Sequence, residues 1–200
     1  IRHAAILGPT FSLYGRAITA AGGRVTMVHA RRAERYRPPL DRAMELLKGS
    51  RRGQPDALFL CNPNSPTGQT VRREDLCDLL AVAANRDVRV IVDETFVEYC
   101  ESRSILQAIH DGSVLVLRSF TKFYALPGFR IGYLAGPSKV IERVRERQPP
   151  WSVNTLAQSA ALAALKDRSH ARKSLAFMNR ERPYLAGALQ ELRGVAVYPS

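Results

Sequence analysis

Apolar residues gather in short β-branched runs separated by polar, turn-rich or helix-like stretches. Five runs stand out: 24–30 (RVTMVHA), 57–63 (ALFLCNP), 88–96 (VRVIVDETF), 114–120 (VLVLRSF) and 130–136 (RIGYLAG). Each is nearly continuous rather than alternating, which is how strands covered on both faces read. They predict a mostly parallel sheet flanked by helices, an α/β fold. Residues 70–86 predict a helix, with Thr70 as its N-cap and Glu74 and Asp75 near the positive end of its dipole. Beyond Gly136 the pattern turns helical, first over 137–147 with Pro137 near the start, then over 154–192, rich in Ala and Leu. The QPPW stretch at 148–151 separates the two, because consecutive prolines cannot continue a helix. The last residues, VAVYPS, read as a strand opening another domain, so the expected organisation is a large domain over 1–194 and the start of a second over 195–200.

Composition narrows the class. Two hundred residues, 46% hydrophobic and 24% charged, are enough to bury a core and too apolar for disorder. No apolar run reaches the ~18 residues of a membrane span, and the N-terminal stretch lacks a signal-peptide layout, so a cytoplasmic location without membrane association is expected. The net charge of +12 raises nucleic acid as a partner, but the arginines are spread in short groups and no helix-turn-helix or finger pattern accompanies them. A nucleic-acid role is therefore set aside in favour of a solvated basic surface. Cys61, Cys77 and Cys100 are widely spaced with no C-x-x-C, which fits reduced thiols. His3, His29, His110 and His170 are scattered and read as local hydrogen-bonding residues, so no metal site is expected.

Candidate chemistry lies just after the strand runs, where open α/β sheets bind their ligands. NPNSPTG follows the second run, Asp93 ends the third, and SFTK closes the fourth. Only five of the thirty cationic Lys and Arg residues are lysines, and Lys122 is one of them, set among apolar neighbours. Desolvation there would favour an amine able to form a Schiff base. Ser119 three residues before it and Arg130 eight after it suit a cofactor that carries a phosphate. Asp93 ends a run expected to be buried, where an unpaired carboxylate is costly; it is either a structural cap or ion pair, or the partner of a protonated ring nitrogen. Phe11 is either core or a flat ring stacked on that cofactor. Pro66 and Gly68 make a turn on either reading.

Together GPTFSLYG, NPNSPTG, VDETFVEY, SFTKFYALPGFRIGYLAGP and PPWSVNTLAQSAALAAL resemble the fold-type I aminotransferase superfamily of pyridoxal-phosphate enzymes, over nearly the whole chain. The resemblance implies the large domain of that fold and pyridoxal 5'-phosphate as cofactor. It makes Lys122 the tether, Asp93 the ring-nitrogen partner, Phe11 the stacking ring, Ser119 and Arg130 phosphate ligands, and Ser65 a cofactor-binding residue where the superfamily commonly has Asn. Within the superfamily the chain is most similar to the threonine-phosphate decarboxylases of cobalamin biosynthesis, and next to histidinol-phosphate aminotransferases. Phe96 stands three residues past Asp93, where aminotransferases generally carry Tyr and the decarboxylases Phe. The resemblance thus implies decarboxylation of L-threonine O-3-phosphate, a phosphorylated amino acid, by a homodimer of a longer chain. Transamination of the histidinol-phosphate type and a non-catalytic aminotransferase-like module are the alternatives.

Overall fold

The computed structural model describes residues 1–111 and 114–199. Six strands form one sheet: β1 (His3–Gly8), β2 (Arg24–His29), β3 (Ala57–Cys61), β4 (Arg89–Asp93), β5 (Val114–Ser119) and β6 (Gly132–Ala135). Their spatial order is β2-β1-β3-β4-β5-β6, with β1 to β5 parallel and β6 antiparallel to β5. All five expected strands are present, trimmed at their ends. The internal strand β1 went unread: its run is short and opens on Ala4 and Ala5, which carry little β propensity.

Alternation along the strands divides the core between two faces. Ala5, Leu7, Leu58, Leu60, Val90, Val92, Val114 and Val116 point to one face, covered by α2 (Leu40–Lys48) and α3 (Arg73–Ala84) through Ala43, Leu47, Leu76, Leu79 and Ala83. Ala4, Ile6, Ala57, Cys61, Ile91 and Leu115 point to the other, where α1 (Leu13–Ala20) lays down Tyr14 and Ile18. Each fully buried Leu, Ile or Val is worth about 1.5–3 kcal/mol of transfer free energy, so these two layers dominate stability. The same alternation decides which polar residues near the strand ends face which layer. Gly132 lets β6 close on β5: a Cβ there would lie 2.6 Å from the Arg118 carbonyl oxygen.

Two details differ from expectation. The helix expected over 70–86 begins at Arg73, with Arg72 at the N-cap position rather than Thr70, because Asn62 holds the Val71 N–H and keeps that stretch in the preceding loop. Residues 195–199 form no strand; with no described strand beside them to share a ladder, they lie against the body, Tyr198 packing edge-on to Tyr36 at 5.2 Å. Residue 200 of the expected second domain lies outside the described residues.

Helix α4 (Ser138–Arg145) follows Pro137, and α5 (Thr155–Lys166) and α6 (Arg168–Gln190) occupy the Ala/Leu-rich stretch. Asn154 and Asp167 cap α5 and α6, accepting from the Ala157 and His170 N–H groups. Among the described residues no helix is long and apolar enough to cross a membrane, and Cys61, Cys77 and Cys100 are free thiols. His3 and His170 make the local hydrogen bonds expected of them, to Thr26 and to the Phe123 carbonyl; the His110 side chain lies outside the described residues.

Candidate active site

The carboxyl ends of β3, β4 and β5 lie side by side. Cys61 pairs with Asp93 and Asp93 with Leu117, and the Asn62 N–H donates to the Asp93 carbonyl at 2.9 Å. Asp93 shares its strand face with Ile91, which turns its carboxylate toward α1. Its Oδ1 accepts from the Thr95 N–H at 2.9 Å and the Thr95 hydroxyl at 2.6 Å. Its Oδ2 accepts from the Tyr14 hydroxyl at 2.5 Å. The carboxylate is half-buried, is held by neutral donors and has no cation within ion-pair distance among the described residues. Of the structural alternative, the ion pair is thus absent among the described residues, while the Thr95 bonds are the local cap it allowed; the ring-nitrogen reading remains beside it.

Tyr14 and Cys61 complete this group. Burial, and then the neighbouring Cys61 and Asp93, push the Tyr14 hydroxyl well above the usual phenol range. Burial, and then Asp93, push the Cys61 thiol up to about 11, and it donates to the Pro63 carbonyl. Both therefore keep their protons at neutral pH. Phe11, 48% exposed, meets the Tyr14 ring edge to face at 5.5 Å, so its ring stands at the mouth of the group rather than in the core.

The loop after β3 is tied down from within. Asn62, fully buried, accepts from the Val71 N–H and donates to the Val71 and Arg103 carbonyls. Asn64 donates to the Pro9 carbonyl at 2.9 Å and to Thr67 at 2.8 Å, joining this loop to the one that carries Phe11. Gly68, at φ +68°, donates back to the Asn64 carbonyl and closes the expected turn. Ser65 sits half-buried at the tip of that turn.

After β5 the chain doubles back. The Phe120 N–H donates to the Ile131 carbonyl and the Leu126 N–H to the Phe120 carbonyl, while Phe120 and Phe123 are buried. The desolvation expected of Lys122 is not found. The aromatic residues beside it turn inward and leave its side chain exposed, with no hydrogen bond or ion pair among the described residues. Ser119 and Thr121 share a 2.8 Å hydroxyl contact at the strand end. Arg130, exposed, takes a left-handed conformation at φ +52° and donates to the Pro127 carbonyl. From α6, His170 contacts the Phe123 carbonyl at 2.8 Å and so steadies the turn that carries Lys122.

Phe11 and Asp93 are thus joined through Tyr14, while Ser65, Ser119, Lys122 and Arg130 sit on neighbouring loops at the same end of the sheet. No hydrogen bond or ion pair links those four to Asp93 among the described residues. Sequence reasoning passed over Tyr14 and Thr95. Tyr14 carried a signal in its spacing, three residues beyond Phe11 at the start of a helix; Thr95 carried one in following a strand-end Asp by two, as Asx-type turns do.

The family model for aminotransferase class I and II matches residues 2–200. A threonine-phosphate decarboxylase from Salmonella typhimurium is 34% identical over 201 residues, 99% of this chain and 54% of that protein. A histidinol-phosphate aminotransferase from Anaeromyxobacter sp. is 38% identical over 183 residues, 88% of this chain and 48% of that protein. The histidinol-phosphate aminotransferase structure from Clostridium acetobutylicum superposes with a TM-score of 0.90 at 24% identity, covering 99% of this chain and 59% of that one. The chain spans about half the length of the curated relatives it matches.

Proposed function

Because the chain belongs to the aminotransferase class I and II family, we propose that its strand-end cluster holds pyridoxal 5'-phosphate and that the complete enzyme decarboxylates L-threonine O-3-phosphate. The observation that carries the cofactor reading is the Asp93 carboxylate. Three neutral donors converge on it, and Oδ2 keeps an acceptor position beyond the Tyr14 hydroxyl. The donor set around it fits the group: one unpaired amine, one carboxylate, the Ser119 and Thr121 hydroxyls, a guanidinium and an exposed aromatic ring.

In this reading the Nζ of Lys122 tethers the cofactor and, once released, moves the proton at the substrate α-carbon. Asp93 holds the proton at the ring nitrogen. Phe11 would cover one face of the ring and exclude water from it, and Ser119 and Arg130 would bind the phosphate. Ser65 donates from its hydroxyl where a longer amide is common in the superfamily. When bound, the cofactor supplies a sink for the electrons left at the α-carbon. Which bond at the substrate α-carbon breaks would then be set by how these residues orient the substrate.

Two features support decarboxylation: Phe96 offers no hydroxyl three residues past Asp93, and the Salmonella decarboxylase matches along the whole chain. The product would be (R)-1-amino-2-propanol O-2-phosphate, as cobalamin biosynthesis requires. The 38% identity to a histidinol-phosphate aminotransferase favours transamination as the second reading. Both readings take a homodimer as the working unit.

The test is made on the complete gene product loaded with pyridoxal 5'-phosphate. Carbon dioxide released from threonine phosphate without a keto acid, and lost in Lys122→Ala, is the expected result. A strict requirement for 2-oxoglutarate, with glutamate formed, would move the assignment to the aminotransferase. Absence of any visible absorbance band with the cofactor would remove both.

A further inference from the structure

We infer that Tyr14 is a positioning residue that sets two walls of the proposed cofactor site together, the Asp93 carboxylate through its hydroxyl and the Phe11 ring through its own ring. This rests on the site reading given above and adds to it a residue with no role there.

Tyr14 occupies the second position of α1, is 8% exposed, and sits between residues from three parts of the chain. Its ring stacks on Phe59 of β3, with centroids 5.8 Å apart and planes 29° off parallel. Phe11 meets it at 75° and 5.5 Å. Its hydroxyl crosses 79 positions of sequence to reach Asp93 Oδ2 at 2.5 Å, in the range of short charge-assisted O–H···O⁻ bonds. An ionised carboxylate only accepts, so the phenol is the donor. Burial in the layer of Ile6, Ile18 and Ile91 suppresses its ionisation, so it remains a donor wherever the fold is stable.

Counting acceptor positions gives the consequence. A carboxylate has about four; Thr95 fills two on Oδ1 and Tyr14 one on Oδ2. The remaining position on Oδ2 has its direction fixed by the other three bonds. Removing the Tyr14 hydroxyl leaves that oxygen free to take water instead, and removing the ring also releases Phe11. One side chain therefore keeps the carboxylate and the stacking ring in a single mutual geometry.

Tyr14→Phe separates the two effects, since it keeps the ring and deletes the hydroxyl. In the full chain we expect pyridoxal 5'-phosphate, titrated by absorbance, to bind about 10- to 100-fold more weakly in this variant. In an Asp93→Asn background the same change should cost less than about twofold, because the carboxylate through which it acts is gone. Equal affinity in Tyr14→Phe and the parent, or equal losses in both backgrounds, overturns the inference while leaving the site reading intact. If the parent takes up no cofactor, the site reading falls and this one with it. A cofactor-free measurement keeps the pair testable should Tyr14→Phe fail to fold. Proton NMR of the parent should show a protected, downfield Tyr14 hydroxyl that moves upfield in Asp93→Asn, and a freely exchanging hydroxyl there would overturn the inference.

Discussion

Asp93 and Glu94 are neighbours in sequence, as are Arg118 and Ser119 at the end of the adjacent strand, yet the two members of each pair serve opposite faces of the sheet. Alternation sends Asp93 and Ser119 to the α1 face and Glu94 and Arg118 to the face of α2 and α3. Glu94 is fully buried and closed on all sides: the Ile105 N–H donates to Oε1 at 2.7 Å, while Ser104 and Arg118 donate to Oε2 at 2.8 and 2.9 Å. Arg118 in turn reaches Glu101 and Glu98, which ties the segment after β4 to β5. Asp93, by contrast, is half-buried, held by a phenol, a hydroxyl and an amide, and keeps an acceptor position open. A carboxylate closed by a cation serves the fold; one oriented by neutral donors remains available to a ligand.

The sharpest way to break that comparison is to truncate each acid in turn. Glu94→Ala takes the acceptor from Arg118 Nε, orphans the buried Ile105 N–H and leaves a cavity in the α2/α3 face, and should cost about 3–5 kcal/mol in a denaturant titration. Asp93→Asn keeps one carbonyl oxygen for the Thr95 donors and turns an amide N–H toward the Tyr14 hydroxyl, which can accept from it, so it should cost only about 1–2 kcal/mol, while cofactor binding weakens. Equal stability losses for the two variants would show that Asp93 is structural after all. Lys122→Ala sharpens the same contrast from the ligand side, since an exposed amine without partners among the described residues should change stability by no more than about 0.5 kcal/mol.

Much of this was legible in the sequence, and what was not has physical causes. Continuous apolar runs marked β3, β4 and β5, which are covered on both faces and carry no alternation to misread, while the edge strands β2 and β6, read the same way, are largely exposed. That Asp93, Lys122 and the NPNSPTG turn lie at or just past strand ends was legible from the runs, and the structure has them there. The strand β1 was hidden because Ala4 and Ala5 fit a buried internal strand without showing β propensity. Lys122 was expected to be desolvated by its neighbours, but linear proximity to Phe120 and Phe123 says nothing of direction, and those rings turn inward without it. The Tyr14–Asp93 bond joins residues 79 apart, a pairing no local pattern carries. The same holds for Glu94 and Arg118, whose burial depends on strand parity as much as on residue type.

The cluster around Arg118 has an excess of acid: three carboxylates share one guanidinium, and Glu98 keeps Oε2 buried without a hydrogen-bond partner among the described residues. Burial, only partly offset by Arg118, raises the pKa of Glu98 above the ordinary carboxylate range. A folded-state pKa raised above the unfolded one means that the fold binds a proton more tightly than the open chain. The stability linked to Glu98 is therefore complete below the usual Glu range, near pH 4.3, and is lost as pH rises through the raised value. Glu98→Gln keeps the shape and removes the charge, so at pH 7 it should raise stability by about 0.5–1 kcal/mol, and the gain over the parent should vanish as pH falls toward about 4. Denaturant midpoints of the two proteins measured across that range decide the matter. A variant less stable than the parent at pH 7 would mean that the Arg118–Glu98 attraction outweighs burial, and that the second face of the sheet is as tightly balanced in charge as the Asp93 face is in hydrogen bonds.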